Sequence, residues 1–112
     1  MITQNQRLVT NLSSKINKIF KIVPLYEEKE IGLITVKDVV VNVESLIFEF
    51  NGFSKRMNFE NVAEFEAMMD ILTAIKDEVS KEGIQPIIKR ESFKCIDIMH
   101  CIIKRIENGD KS

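Results

Sequence analysis

Residues 31–59 read IGLITVKDVVVNVESLIFEFNGFSKRMNF, and this stretch decides the fold class of the chain. It is rich in β-branched and aromatic residues, which favour strands. Every second position is apolar through residues 39–43 and again through residues 46–50. Because successive side chains of a strand point to opposite faces, this spacing indicates strands that have one apolar face.

The dipeptide Asn51-Gly52 is a strong hairpin signal, because a two-residue type I′ turn requires positive φ at both positions. Folding the chain back at this turn pairs Phe50 with Phe53 and aligns the apolar positions on both sides of it. The opposite face is polar, and one apolar and one polar face are typical of an antiparallel sheet. We therefore predict a small antiparallel β-meander of two to four strands within residues 31–59.

A helical template also fits part of this stretch. Thr35 and Asp38 would cap the N-terminus of such a helix. Its apolar stripe, at spacings of three and four residues, would be formed by Val36, Val39, Val43, Ile47 and Phe50. We prefer the sheet because it accounts for the alternation and for the Asn51-Gly52 dipeptide together.

Three segments outside the sheet show helical periodicity. Residues 1–24 form the first, an amphipathic helix that Pro24 is expected to end, because proline disfavours helix in the residue before it. Two further helices are predicted over residues 61–82 and 92–108, separated by a linker that contains Pro86. A charged loop, residues 27–30, is expected to lead from the first helix to the sheet.

These elements predict one α+β domain over residues 1–112, in which the sheet packs with the N-terminal helix and the two C-terminal helices. The composition, 45% apolar and 29% charged, is that of an ordinary globular chain. The N-terminus has no signal-peptide pattern and no apolar run reaches membrane-helix length, so we expect a cytoplasmic location without membrane insertion. Frequent Ile, Lys and Asn suggest an AT-rich bacterial or phage genome.

Charge is distributed unevenly along the chain, although the formal net charge is only −1. Residues 1–26 carry a net charge of +4, residues 27–82 carry −7, and residues 83–112 carry +2. The near-zero total argues against a dedicated polyanion binder. The asymmetry indicates either a bipolar surface that prefers charged partners, or a basic helix lying beside the acidic region within the fold.

The residues able to do bond-making chemistry are few. His100 is the single histidine. On a helix, Cys95 and Cys101 would lie about 240° apart, so they would share neither a metal ion nor a disulfide. We expect a satisfied, partly buried histidine and two buried thiols. No nucleotide-binding or hydrolase motif is present. The sequence predicts no catalytic residue, no metal and no cofactor, and therefore a protein that is not an enzyme.

The apolar helix faces exceed what so small a sheet could cover, which predicts an interaction surface. We expect a non-enzymatic protein-interaction module, such as a regulator, inhibitor, immunity-type or assembly factor, of phage or mobile-element origin. We expect it to act as a homodimer. The first helix offers the dimer or partner contact through its apolar residues, and the helix at 61–82 offers an electrostatic contact through its acidic face. The residues concerned are Leu12, Ile16, Ile19, Glu66, Asp70 and Asp77.

Nucleic-acid binding is the alternative. Lys15, Lys18 and Lys21 could follow a phosphate backbone from the first helix. Lys55 and Arg56 would stand just beyond the hairpin turn, where basic and aromatic residues on a sheet can hold single strands.

Overall fold

The structure, a computed structural model, describes residues 4–57 and 63–108, and the regular elements in these ranges are all helices. Within these ranges the helices are α1 (Gln4–Phe20), α2 (Ile22–Glu30), α3 (Val36–Met57), α4 (Ala63–Ser80) and α5 (Gln85–Glu107). α1 and α2 follow one path with a one-residue break at Lys21. The backbone hydrogen bonds from Lys21 N–H to Asn17 and from Leu25 N–H to Lys21 continue across that break.

The predicted β-meander is wrong, and with it the α+β fold class. No strand occurs in residues 4–57 or 63–108, and residues 36–57 of the expected sheet form α3. The buried residues of this helix follow a spacing of three and four: Val39, Val43, Leu46, Phe50 and Phe53. The alternation has no structural counterpart, since Val41 is 50% exposed and Phe48 is 79% exposed. A continuous helical stripe packed on neighbouring helices outweighs a strand propensity that depends on context.

α3 begins with a reciprocal cap formed by Thr35 and Asp38. The backbone N–H of Asp38 donates to Thr35 Oγ1 at 3.2 Å, while Asp38 Oδ2 accepts from the Thr35 N–H and hydroxyl, both at 2.9 Å. This is the capping-box arrangement, with aspartate at its third helical position. The hydrogen bond from the Thr35 backbone N–H holds the pKa of the Asp38 carboxyl below its usual range. The cap that the helical template required is therefore present.

The prolines begin helices rather than ending them. Pro24 was expected to stop the first helix, and residues 27–30 were expected to be a loop, yet both lie in α2. Pro86 lies in the first turn of α5, which therefore starts well before residue 92. Proline is tolerated in a first helical turn because the missing N–H has no intrahelical acceptor there.

The five helices pack as a bundle with a closed ring of neighbours. α5 packs on α1, α2 and α4, and α3 packs on α4 and α2. Around the bundle the order is therefore α1–α2, α5, α4, α3, and the ring closes where α2 meets α3. Phe65 of α4 joins this core to α3, because its ring contacts Phe50 edge-on at 6.0 Å and stacks on Phe53 at 6.5 Å between centroids. The helices cover one another's apolar stripes without a sheet.

α2 is held firmly at its C-terminal end. Leu33 N–H donates to the Glu28 carbonyl at 2.9 Å and Gly32 N–H to the Lys29 carbonyl at 3.1 Å, with Gly32 at φ +84°. This is a Schellman ending, in which glycine takes the left-handed conformation. The Tyr26 hydroxyl also donates to the Gly83 carbonyl, which joins α2 to the α4–α5 turn.

Candidate functional site

A groove runs between the α1–α2 segment and α3. It consists of a hollow of about 310 Å³ at its α1 end and a second of about 280 Å³ towards α2. Glu49 lines both hollows, so they are two halves of one feature, which we call the α1–α3 groove. Its lining residues are Asn11, Lys15, Lys18, Lys21, Ile22, Leu25, Asn42, Ser45, Leu46, Phe48, Glu49, Gly52 and Phe53.

The groove exists because α1 packs on α5, whereas α3 packs on α4 and α2. Its two walls are antiparallel: Asn11 faces the hollow that Phe53 lines, and Leu25 faces the hollow that Asn42 lines. At 1.5 Å per helical residue, the lined part of the α1–α2 wall is about 20 Å long. This length matches three to four turns of a helix.

Ion pairs cross the groove at its middle. Lys15 Nζ lies 2.8 Å from Glu49 Oε2, and Lys18 Nζ lies 3.0 Å from Glu49 Oε1. The hydrogen bond from Lys15, supported by that from Lys18, holds the pKa of the Glu49 carboxyl below its usual range. Lys21 lies on the same wall and has no ion-pair partner among residues 4–57 and 63–108. Three lysines therefore face a single carboxylate, and the groove is basic.

The α1 end of the groove also offers apolar surface. Phe48 stands at its edge with 79% of its surface exposed, and the buried Phe53 lines it from below. Gly52, between them on the same helix, adds no side chain and so leaves the hollow open. A basic wall, an apolar floor and an exposed aromatic ring are what an amphipathic acidic segment requires.

The residues predicted for an apolar dimer contact lie inside the core. Leu12 and Ile19 are 0% exposed and Ile16 is 8% exposed, because α1 packs its stripe on α5. The sheet that was expected to leave this stripe uncovered does not occur in the described ranges, residues 4–57 and 63–108. A partner could reach these three side chains only by separating α1 from the bundle.

The predicted acidic contact lies elsewhere on the molecule. Glu66, Asp70 and Asp77 are exposed on α4. Since α4 packs on α3 and α5, it stands across the bundle from the α1–α2 wall. The acidic face and the lysines of the groove are therefore not brought together.

The lysines predicted for nucleic acid are divided between two places. Lys15, Lys18 and Lys21 line the groove, and Glu49 already pairs with the first two. Lys55 is exposed on α3, where no hairpin turn is present to carry it. The side chain of Arg56 lies outside the described part of the structure, as do residues 58–62, which include the end of the predicted sheet and the start of the helix predicted over residues 61–82.

Phe48 and Glu49 are the groove residues that sequence reasoning missed as a site. Both were assigned to faces of a strand, Phe48 to the apolar one. The helical template would have identified Phe48, because that residue falls outside the stripe of Val43, Leu46 and Phe50 and must then be exposed.

The side chains considered for chemistry are dispersed. His100 and Cys101 are exposed on α5, contrary to the expected burial, whereas Cys95 is fully buried. Across residues 4–57 and 63–108, no three His, Cys, Asp or Glu side chains are grouped so as to hold a metal ion. Of the helices in those ranges, none combines the length and apolarity needed to cross a membrane. Comparison of the chain with protein-family models, curated proteins and solved structures finds no match.

Proposed function

We propose that this chain is a small non-enzymatic protein-interaction module that binds an acidic amphipathic helix of another protein in the α1–α3 groove. The observation that carries the proposal is the groove itself, which places Lys15, Lys18 and Lys21 on one wall and Phe48 at the edge. The N-terminal 26 residues contain no acid, so nothing on α1 opposes an incoming carboxylate.

The occupant follows from complementarity of charge and shape. The groove is about 20 Å long, enough for three to four helical turns. Apolar residues on one face of that helix would cover Phe48 and Phe53, and carboxylates on its edge would meet the lysines. Such pairing gives specificity and a faster association rate more than raw affinity, whereas a desolvated aromatic ring contributes to affinity.

A second copy of this chain is a poorer occupant. The exposed acids predicted for partner contact, Glu66, Asp70 and Asp77, lie on α4. The large apolar side chains exposed among the described residues are Phe20, Ile31, Leu33, Val41, Phe48, Ile84 and Phe93, and none belongs to α4. α4 would therefore bring charge to the groove without an apolar anchor for Phe48.

Nucleic acid is also a poorer occupant. Phe48 is the one exposed aromatic ring among the described residues that line the groove, so a nucleic-acid strand would find a single base-stacking platform beside the lysines. The binding of single-stranded DNA is therefore measured beside that of the peptide, so that the two occupants can be compared.

The test is titration of the protein into a fluorescently labelled synthetic peptide of about 15 residues, four helical turns, with leucines on one face and glutamates on the other. We expect micromolar binding at low ionic strength that weakens as salt screens the charges. Lys21→Glu and Phe48→Ala should each weaken binding about tenfold. The matched controls are Lys89→Glu and Ile31→Ala, at exposed positions outside the groove, which should bind as the parent does.

The opposite results are equally clear. Binding that is insensitive to Lys21→Glu and Phe48→Ala would remove the groove as the site. Tighter binding of single-stranded DNA than of the peptide would replace the proposal by nucleic-acid recognition. A dimer in light scattering that Phe48→Ala dissociates would make a second copy the occupant.

A further inference from the structure

We infer that Glu49 is a built-in competitor for the α1–α3 groove, holding Lys15 and Lys18 where a carboxylate of the bound helix pairs with them. This inference rests on the proposed function, and it names how that site is regulated. In the free protein Glu49 closes the middle of the groove. In the complex the Glu49 side chain rotates into solvent, and a carboxylate of the partner pairs with Lys15 and Lys18 instead.

The geometry supports exchange at this point. Both carboxylate oxygens of Glu49 are engaged: Lys15 Nζ lies 2.8 Å from Oε2, and Lys18 Nζ donates to Oε1 at 3.0 Å and to Oε2 at 3.2 Å. The Lys15 side chain is only 22% exposed, so without an anion it would be a poorly solvated ammonium group. The fold supplies that anion from α3 while the groove is empty.

The position of Glu49 makes it a barrier as well as a counter-ion. It is the residue that the two hollows share, and its pairs with α1 divide them. A helix that fills both hollows must therefore displace this bridge. The Glu49 side chain is 34% exposed, so a rotation about its side-chain bonds brings the carboxylate into water.

The displacement defines the partner more closely. Lys15 and Lys18 are one helical turn apart, so a carboxylate at the centre of the bound helix reaches both. Apolar side chains on either side of that acid then occupy the hollow beside Phe48 and the hollow beside Leu46. The groove selects an acidic centre flanked by two apolar anchors.

The experiment compares two labelled peptides on the parent protein and on Glu49→Gln. Both peptides carry the flanking leucines, one with a central glutamate and the other with a central glutamine. Glu49→Gln removes the competing charge, so affinity for the glutamate peptide should rise about three- to tenfold. Affinity for the glutamine peptide should not rise. The gain should shrink at high salt, where lysine–carboxylate pairs are screened.

The matched control is Glu44→Gln. Glu44 is on the same helix and pairs with Lys76 of α4 at 3.6 Å, outside the groove, so this variant should leave both affinities unchanged. Thermal melting of each variant establishes that it folds. If Glu49→Gln is too unstable to measure, Glu49→Asp replaces it, since aspartate keeps the charge but has a shorter side chain. Its affinity for the glutamate peptide should rise by a smaller factor, and its affinity for the glutamine peptide should not rise.

The outcomes separate the two proposals. If Phe48→Ala still weakens binding but Glu49→Gln gives no gain for the glutamate peptide, the competitor role is overturned and the binding groove stands. An equal gain for both peptides would also overturn it, because relief of a steric barrier alone would explain that result. If neither substitution changes binding, both proposals fail together.

Discussion

Two cysteines on one helix show how much the environment of a residue decides. Burial raises the pKa of the Cys95 thiol to about 12, since a thiolate would be desolvated in the core. Cys101, also on α5, is exposed and free. The sequence placed both on a helix with about 240° between them. The prediction that both thiols are buried was wrong for Cys101, because the face of α5 that meets the core is set by where α1 and α4 pack.

We expect the two thiols to differ sharply in reactivity. A water-soluble disulfide reagent at mildly alkaline pH should titrate one thiol rapidly in the native protein and the second only after denaturation, because the thiolate is the reacting species. Cys101→Ser should abolish the rapid phase, and Cys95→Ala should keep it. A rapid reaction of both thiols in the native protein would contradict the burial of Cys95.

At the scale of elements, α3 is where sequence reasoning and structure differ most. Residues 39–50 satisfy two periodicities, and the local composition favours the wrong one. Tertiary packing selects the helix, because the helical stripe from Val39 to Phe53 packs against Phe65 of α4 and the rest of the core. The Thr35–Asp38 cap was visible in the sequence and indicated a helix. It was outweighed by Asn51-Gly52, whose turn preference is lost inside a long helix.

Gly52 distinguishes the two interpretations experimentally. Within α3, Gly52→Ala should raise the free energy of unfolding by about 0.5–1 kcal/mol, because alanine loses less backbone entropy in a helix. In a type I′ turn the same change would lower it by about 1–2 kcal/mol, because alanine resists positive φ. Urea unfolding followed by circular dichroism measures the sign. Asn51→Ala, at the exposed neighbouring position, should act in the same direction.

At the scale of the whole molecule, the bundle separates its charges. The net charge of each segment follows from composition, but whether the basic and acidic parts lie side by side depends on how the helices pack. In the bundle, the α1–α2 wall and α4 stand on opposite sides of the core, so Lys21 and Asp70 cannot neutralise each other directly. The groove could not be predicted from the sequence, because it forms where α1 packs on α5 and α3 packs on α4 and α2.

The free energy of unfolding at acid pH should depend on two carboxyl groups of α3. Hydrogen bonds from the Thr35 backbone and from Lys15 hold the pKa values of Asp38 and Glu49, respectively, below their usual range. The folded chain therefore releases these protons more readily than the unfolded chain, whose carboxyls titrate at about pH 4. Their stabilisation is fully present above that pH and is lost as the pH falls through the lower folded values.

The measurement is urea unfolding at a series of pH values. The parent should show a free energy of unfolding that declines from about pH 5 downward. Asp38→Asn and Glu49→Gln should each lower the value at neutral pH and reduce the slope on the acid side. Together they should reduce it further, since the two carboxyls lie about three turns apart on α3 and do not share a partner. If the free energy of unfolding of the double variant falls with decreasing pH as steeply as that of the parent, other carboxyls cause the pH dependence. The ion pairs of the groove would then make no contribution to the acid stability of the bundle.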